Sequence, residues 1–152
     1  MSPTATASEP IVIGGMTIQF LVDSNASNGS VSVFRVDLSV GSRMPVPHSH
    51  DAFEETVYGL KGVTTFTVDG VSNNIGPGDI ICIPRGAVHG FAVGGDEDAS
   101  ILCVSSPGLF GPDYFREIAA VVDAAAGGPP DREAMMAVMK RHGLTPAIPS
   151  AG

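Results

Sequence analysis

The chain has 152 residues, with 16 acidic against 8 basic side chains and a formal net charge of −8 at pH 7. This length fits one domain with a sizeable core, and the acidic balance argues against binding to nucleic acid or to an anionic membrane, since both require basic surface. No apolar run reaches the roughly 18–20 residues of a membrane span. The first ten residues lack the basic and apolar regions of a secretory signal, so we expect a cytoplasmic protein.

Short apolar segments separated by turn residues predict antiparallel β-structure over residues 11–105, after a disordered lead-in at 1–10. Residues 31–40 alternate in polarity, with Phe34 and Val36 on one face and Arg35 on the other. The 19 glycines and 12 prolines fit tight turns between many short strands, which predicts a sandwich or a barrel. The predicted strands cover residues 11–13, 16–22, 31–40, 55–60, 63–69, 79–83, 88–93 and 99–105.

The last third of the chain, residues 106–152, changes character and predicts a helical extension. Apolar residues recur at helical spacing over 113–126 and again over 132–142. Asp131 is the expected N-cap of the second helix, and Gly143 is its expected stop. Because both helices are amphipathic, we expect them to pack on the barrel or on a partner chain.

Three histidines and a carboxylate stand at a spacing that suits one metal ion. His48 and His50 are two residues apart, so in a strand both project from the same face. The carboxylate is Glu55 or its neighbour Glu54, which a neighbouring antiparallel strand could aim back at the histidines. His89 lies far along the chain and must arrive through closure of the barrel. These donors suit Fe, Mn, Ni, Co, Cu or Zn, and four ligands from one side leave positions open for catalysis.

The remaining histidine and the two cysteines have simpler interpretations. His142 is the only other histidine among four, and it falls in the last turn of the second predicted helix, where a cation complements the helix dipole. Cys82 and Cys103 both lie in apolar strand-like runs. We therefore expect both cysteines to be small buried hydrophobic residues rather than a disulfide.

Two segments resemble the signature motifs of the cupin superfamily. The first motif combines His-x-His, a glutamate and a glycine, and its four-residue gap after the second histidine favours Glu55 over Glu54. Gly41 stands one residue earlier than the family pattern expects, and Val93 replaces the final asparagine of the second motif. The matching residues are His48, His50, Glu55 and Gly62 in the first motif, and Gly78, Pro84, Gly86 and His89 in the second.

This resemblance implies an all-β fold, a cupin-type antiparallel β-barrel (jelly roll) with the metal inside, followed here by the two C-terminal helices. The segment that starts at Ser106 is similar to the tails of small single-domain bacterial cupins described as quercetin-dioxygenase-like. We expect a metal-dependent enzyme, most plausibly a dioxygenase, in which Glu55 leaves the metal to act as a catalytic base. The alternatives are a non-redox isomerase, cyclase or lyase, in which the metal is a Lewis acid, and a non-catalytic small-molecule-binding cupin.

Residues of a strand that lie an even number of positions apart point to the same face. This rule, applied from the metal ligands, predicts which side chains line the substrate pocket. Met44, Val57 and Phe91 share the inward face with the ligands, and Phe66 is a further candidate from the next strand. This mostly apolar lining favours an aromatic or aliphatic hydroxy- or keto-compound as the substrate. We expect the loop from Ser106 to Pro112 to gate the pocket. A homodimer is also expected, because exposed sheet edges are usually covered by a partner or a helix.

Overall fold

Two antiparallel β-sheets and two helices make up the computed structural model, which describes residues 7–147. The predicted antiparallel β-barrel with two C-terminal helices is confirmed. In chain order the elements are β1 (Ile11–Ile13), β2 (Met16–Val22), β3 (Ser32–Leu38), β4 (His48–His50), β5 (Glu54–Lys61), β6 (Thr64–Val68), β7 (Val71–Ile75), β8 (Ile80–Ile83), β9 (His89–Ala92), β10 (Ala99–Ser106), α1 (Pro112–Ala124), α2 (Arg132–Arg141) and β11 (Leu144–Pro146).

The first three strands lie in one sheet, and from β4 onwards the chain passes back and forth between the two sheets, with the core between them. One sheet has six strands in the order β1-β2-β3-β10-β5-β8, and the other has five in the order β11-β4-β9-β6-β7. In β3 the residues at even positions, among them Phe34 and Val36, are buried, whereas Arg35 is exposed. Phe34 stacks on Phe20 of β2 with ring centroids 4.9 Å apart. The predicted alternation of β3 therefore corresponds to an inner and an outer face.

The hairpin of β6 and β7 contains a strand that the sequence did not indicate. Its two-residue turn, Asp69-Gly70, was predicted, and both residues have positive φ, as a tight hairpin turn with this twist requires. β7 itself was missed because Val71 and Ile75 enclose three polar residues that pair with β6 at the edge of the sheet. A polar edge strand has little of the alternating hydrophobicity that reveals a buried one.

The two helices close one end of the barrel. Asp131 caps α2 by accepting a hydrogen bond from the backbone nitrogen of Ala134 at 3.1 Å, and Gly143 after the helix has a φ of +77°, as predicted. Ile118 of α1 and Met135 of α2 belong to the same buried core as the strands. Within residues 7–147, no helix combines the length and the apolar character that a membrane crossing demands.

The chain returns to the barrel after α2, because β11 pairs with β4 in the register Leu144 with His50 and Pro146 with His48. This strand lies within the predicted helical extension and was missed. It has only three residues and contains proline, which a sheet tolerates at an edge. The backbone of Ser8 donates a 2.9 Å hydrogen bond to Phe20, so part of the predicted lead-in lies against β2. Residues 1–6 and 148–152 lie outside the described part of the chain.

Candidate metal centre

The three predicted histidines meet inside the barrel. β4 provides His48 and His50, and β9 provides His89, which pairs directly with His48 in the sheet register. One nitrogen from each ring lies within 4.8 Å of the others, and all three side chains are buried. The closure of the barrel that was expected to deliver His89 is therefore the antiparallel pairing of β4 with β9.

The hydrogen bonds of these rings leave nitrogen lone pairs free to face one another. Nδ1–H of His48 donates to the carbonyl oxygen of Val46, and Nδ1–H of His89 donates to that of Ala87, both at 3.1 Å. A carbonyl only accepts, so each of these rings carries its proton on Nδ1 and has an unprotonated Nε2. Both nitrogens of His50 and Nε2 of His89 are buried and have no hydrogen-bond partner among the described residues. Such orphaned polar atoms are costly unless another group binds them.

Burial keeps the three imidazoles neutral, which is the form that binds a metal. Loss of hydration lowers the pKa of His48 to about 3 and that of His50 to about 2, with smaller contributions from the neighbouring histidines. The pKa of His89 is also lowered, again chiefly by burial. At neutral pH the cluster thus presents electron pairs rather than protons to the space between the rings.

Glu55 joins the histidines from the facing sheet. Its Oε2 lies 3.4 Å from Nε2 of His50, and only 7% of the residue is exposed. The expectation that a neighbouring strand would carry this carboxylate was wrong, because β4 is flanked by β11 and β9, whereas β5 lies between β10 and β8. Sequence order alone does not reveal that the chain changes sheets after His50.

The contact between Glu55 and His50 is not an ion pair in the metal-free protein. Burial raises the pKa of Glu55 to about 7, an effect that a hydrogen bond with the Cys103 thiol partly offsets. The same environment lowers the pKa of His50 to about 2, so the carboxyl group carries the proton in this pair. A buried carboxylate anion beside neutral imidazoles is unfavourable, because no positive charge balances it. A metal ion would supply that charge and favour the anion.

The neighbouring carboxylate, Glu54, faces the other way. It forms a bidentate ion pair with Arg85, with Nε 2.6 Å from Oε2 and Nη2 2.8 Å from Oε1. The hydrogen bond from Arg85 lowers the pKa of Glu54 to about 2. Because consecutive residues of a strand point to opposite faces, only Glu55 of this pair can reach the histidines.

A cavity of about 70 Å³ lies next to the cluster, and its lining tests the predicted pocket residues. Met44, Phe66 and Phe91 line it together with His48, Glu55 and His89. Val57 does not. Its side chain is completely buried in the barrel core, which corrects the expectation that it faces the pocket. The alternation of side chains along a strand shows which residues face inwards, but it does not show how far from the cavity each of them packs.

The loop and the helices contribute cavity residues that the sequence analysis missed. Phe110, from the loop before α1, is buried with its ring centroid 5.4 Å from that of His50, whereas Leu109 is 57% exposed. The helical residues were recognised as apolar but not placed, since helical periodicity shows that a face is buried without showing against what. The additional lining residues include Cys103, Phe110, Tyr114, Phe115, Ile118, Met135 and Met139.

The two cysteines have different environments. Cys103 is buried and hydrogen-bonds Glu55, as described above, whereas Cys82 is exposed. The prediction of a buried residue is therefore right for Cys103 and wrong for Cys82, which lies on the outer face of the edge strand β8. Neither forms a disulfide.

Comparison with known proteins agrees with this geometry. The sequence model of the family described as "Cupin domain" matches residues 34–105, which contain all four candidate ligands. Residues 34–105 are a cupin domain. A curated relative, quercetin 2,3-dioxygenase of Bacillus subtilis (strain 168), is 28% identical over 108 residues. The match covers 71% of this chain but only 31% of the relative, so the chain spans about a third of that protein's length.

Solved structures resemble the cupin domain in fold. KdgF from Halomonas sp. has a TM-score of 0.58 at 18% identity, with 71% of this chain and 89% of that chain covered. An RmlC-like cupin from Shewanella frigidimarina has the same TM-score, 0.58, at 20% identity, with 70% and 88% covered. At these identities the likeness concerns the fold alone. The cap formed by α1 and α2 follows the matched residues in the chain.

Proposed function

We propose that this protein is a metal-dependent enzyme, a dioxygenase that acts on a small organic hydroxy, keto or aromatic compound. The observation that carries the proposal is the meeting of three neutral, buried imidazoles within 4.8 Å, with Glu55 beside them, next to an apolar cavity that His48, Glu55 and His89 line. Buried histidines that serve only the core are expected to have partners for both ring nitrogens, and His50 has none among the described residues.

The residues present fit a divalent transition metal ion. His48, His50, Glu55 and His89 would hold it, because neutral imidazole and carboxylate donors suit Fe, Mn, Ni, Co, Cu or Zn. Such an ion supplies Lewis acidity and, when it is redox-active, chemistry with O2. The Nδ1 hydrogen bonds of His48 and His89 to backbone carbonyls fix the tautomer and the orientation of both rings.

Glu55 is the proposed catalytic base. Its carboxyl group lines the cavity and, when it leaves the metal, can accept a proton from the substrate and return it, because burial favours the protonated form. The hydrogen bond with the Cys103 thiol lowers the pKa of Glu55 and so favours its anion. Apolar side chains around the cavity exclude bulk water, so a proton taken from a substrate hydroxyl stays within the site.

The relationship to quercetin 2,3-dioxygenase supports oxygen chemistry, although it covers only part of that enzyme. A non-redox isomerase, cyclase or lyase is the second candidate. The observation in its favour is the position of Glu55 on the cavity wall beside His48 and His89, since a carboxylate there can move a proton at a carbon next to a carbonyl group. Both candidates use the same four residues.

Oxygen uptake separates these possibilities. The protein as purified is analysed for metal and then tested against a panel of enolic and phenolic compounds, with Glu55→Gln as the matched variant. A dioxygenase consumes O2 with substrate and loses this activity in Glu55→Gln. Turnover without oxygen consumption would support the non-redox enzyme. Saturable binding without turnover would contradict catalysis and leave a binding protein.

We further infer a homodimer in the cytoplasm. Support for the dimer comes from the outer face of β5 and its neighbour, the edge strand β8. Tyr58 and Ile80, directly paired in the sheet, are 42% and 65% exposed, and Leu60 nearby is 37% exposed. A continuous apolar patch at a sheet edge is a surface that a second copy of the chain can cover.

A further inference from the structure

Tyr114 brings a phenol to the cavity from outside the barrel. The residue belongs to α1, is only 4% exposed, and lines the cavity together with Glu55 and His89. Its ring packs edge-on against Phe110, with centroids 4.9 Å apart, and against His142 at 5.6 Å. The ring is therefore fixed by the cap, and the polar end is held at one position.

The hydroxyl of Tyr114 has no hydrogen-bond partner among residues 7–147. Burial raises the pKa of the phenol, and the negative charge of Glu55 raises it further, but no hydrogen bond to a described residue contributes. A buried tyrosine hydroxyl usually finds a partner, so this neutral donor is available to a ligand.

The rest of the cavity restricts what that ligand can be. Among the described residues, none that lines the cavity is a lysine or an arginine, so only a bound metal ion could balance the charge of a phosphate or carboxylate, and the side of the cavity formed by the cap offers no counter-charge. The volume of about 70 Å³ is about half the roughly 150 Å³ of a cavity that binds benzene, so even a ligand of one ring requires the cavity wall to move. Met135 and Met139 of α2 form part of the wall, and methionine side chains adapt to a ligand of about one ring.

We infer that Tyr114 is a substrate-binding residue: its phenol donates a hydrogen bond to a substrate oxygen, and the helical cap admits only a compact, uncharged, largely hydrocarbon molecule. The inference rests on the proposed function in taking the cavity as the substrate site, and it names the substrate class. One oxygen of the substrate would face Tyr114 and Glu55, and its hydrocarbon part would face the cap. Specificity would then come from residues that follow the matched cupin domain.

Phenol and toluene provide the direct test, because they differ only by a hydroxyl in place of a methyl group. Their binding is measured by calorimetry on the protein as purified and after removal of metal. We expect the wild type to bind phenol about tenfold more tightly than toluene, the magnitude of one buried hydrogen bond. Tyr114→Phe should lose this preference but keep its affinity for toluene. Tyr58→Phe, the matched change at the only other tyrosine, should leave both affinities unchanged.

Nuclear magnetic resonance keeps the test independent of the variants' stability. In wild-type protein labelled at the tyrosine Cζ carbons, phenol should shift the signal of Tyr114 and not that of Tyr58. An equal preference for phenol in Tyr114→Phe, no shift of the Tyr114 signal, or no saturable phenol binding would each overturn the inference. Quercetin should not compete, and tighter binding of quercetin than of phenol would refute the size limit.

The result is distinguishable from failure of the proposed function. Phenol binding to metal-free protein does not require a metal or turnover. If the protein holds no metal and consumes no oxygen, but its preference for phenol depends on Tyr114, the metal enzyme is wrong and the ligand site stands. If metal and oxygen uptake are found but Tyr114→Phe binds phenol normally, the proposed metal enzyme stands and the inference about Tyr114 is wrong.

Discussion

At the scale of single residues, the candidate centre depends on groups that are held in unusual protonation states. His48, His50 and His89 are neutral because burial penalises their charged forms, and the opposing effect of the Asp69 charge on the pKa of His89 is smaller than that of burial. Glu55 retains its proton up to about pH 7 for the same reason. A divalent cation among these groups would lower the pKa of Glu55, because it favours the ionised carboxylate, and it would bind the imidazole lone pairs.

The raised pKa of Glu55 predicts a pH-dependent cost to stability in the metal-free protein. Glu55 ionises near pH 4.5 when unfolded but near 7 when folded, so its stabilising contribution is full below pH 4.5 and is lost as the pH rises through 7. Glu55→Gln lacks this titration. We expect the stability of wild type relative to Glu55→Gln to fall between about pH 4.5 and 7 and to be flat above.

Urea unfolding of both proteins after chelation, at several pH values, measures this difference. The histidines titrate in both proteins, so their opposite contribution, which favours the folded state as the pH rises, cancels in the comparison. A stability difference independent of pH would contradict the burial of a protonated carboxyl group at this position.

At the scale of elements, tight turns and strand packing hold the centre in place. Gly62, after β5, has a φ of +63°, and a Cβ there would lie 2.3 Å from the carbonyl oxygen of Asp98. Gly70, in the β6–β7 turn, has a similar φ of +82° but no atom within 4 Å of such a Cβ. The two glycines thus share the backbone requirement and differ in the space available.

We expect Gly62→Ala to be more destabilising than Gly70→Ala by about 1–3 kcal/mol, because backbone must move to relieve the contact with Asp98. Both substitutions include the cost of a left-handed alanine, which the comparison removes. Thermal and urea unfolding of the two variants test the prediction. Equal losses of stability would show that the close approach of β5 to residue 98 has no energetic consequence.

The short strand β11 anchors the end of the cap to the strand that carries His48 and His50. Leu144, paired with His50, is 1% exposed, whereas Leu109 in the loop before α1 is 57% exposed. We expect Leu144→Ala to cost about 2–5 kcal/mol, as for other buried leucines, and Leu109→Ala to cost under about 0.5 kcal/mol. Unfolding free energies of the two variants decide this. A Leu144→Ala variant as stable as wild type would mean that β11 does not hold the cap.

At the scale of the whole molecule, the sequence predicted which residues meet at the candidate site but not what surrounds them. His48, His50 and His89 were predicted from their spacing, whereas Glu55 was preferred over Glu54 because it matches the cupin motif. Val57 was misplaced, and Tyr114 was missed, because cavity lining depends on how distant elements pack. Local patterns give the face of a residue, whereas tertiary packing decides which other residues that face meets.

The proposed homodimer is tested by light scattering. We expect a particle of twice the chain mass of 15.5 kDa at micromolar concentration. The apolar surface at Tyr58 and Ile80 is the expected contact, so Ile80→Lys should shift the mass towards the monomer. The change Val12→Lys, at a similarly exposed apolar position on β1, is the matched control. A wild-type monomer would contradict the proposal.

Metal content per chain is the measurement that tests the central claim most directly. Wild type, His89→Ala, Glu55→Gln and His142→Ala are purified in parallel and analysed by mass spectrometry for transition metals. We expect wild type and His142→Ala to bind one ion, because His142, the C-cap residue of α2, contacts Glu117 and does not belong to the histidine cluster. Glu55→Gln should keep much of its metal because glutamine retains an oxygen ligand, while activity is lost. His89→Ala should lose the metal, since no other imidazole can replace it; full occupancy in this variant would contradict the four-residue site.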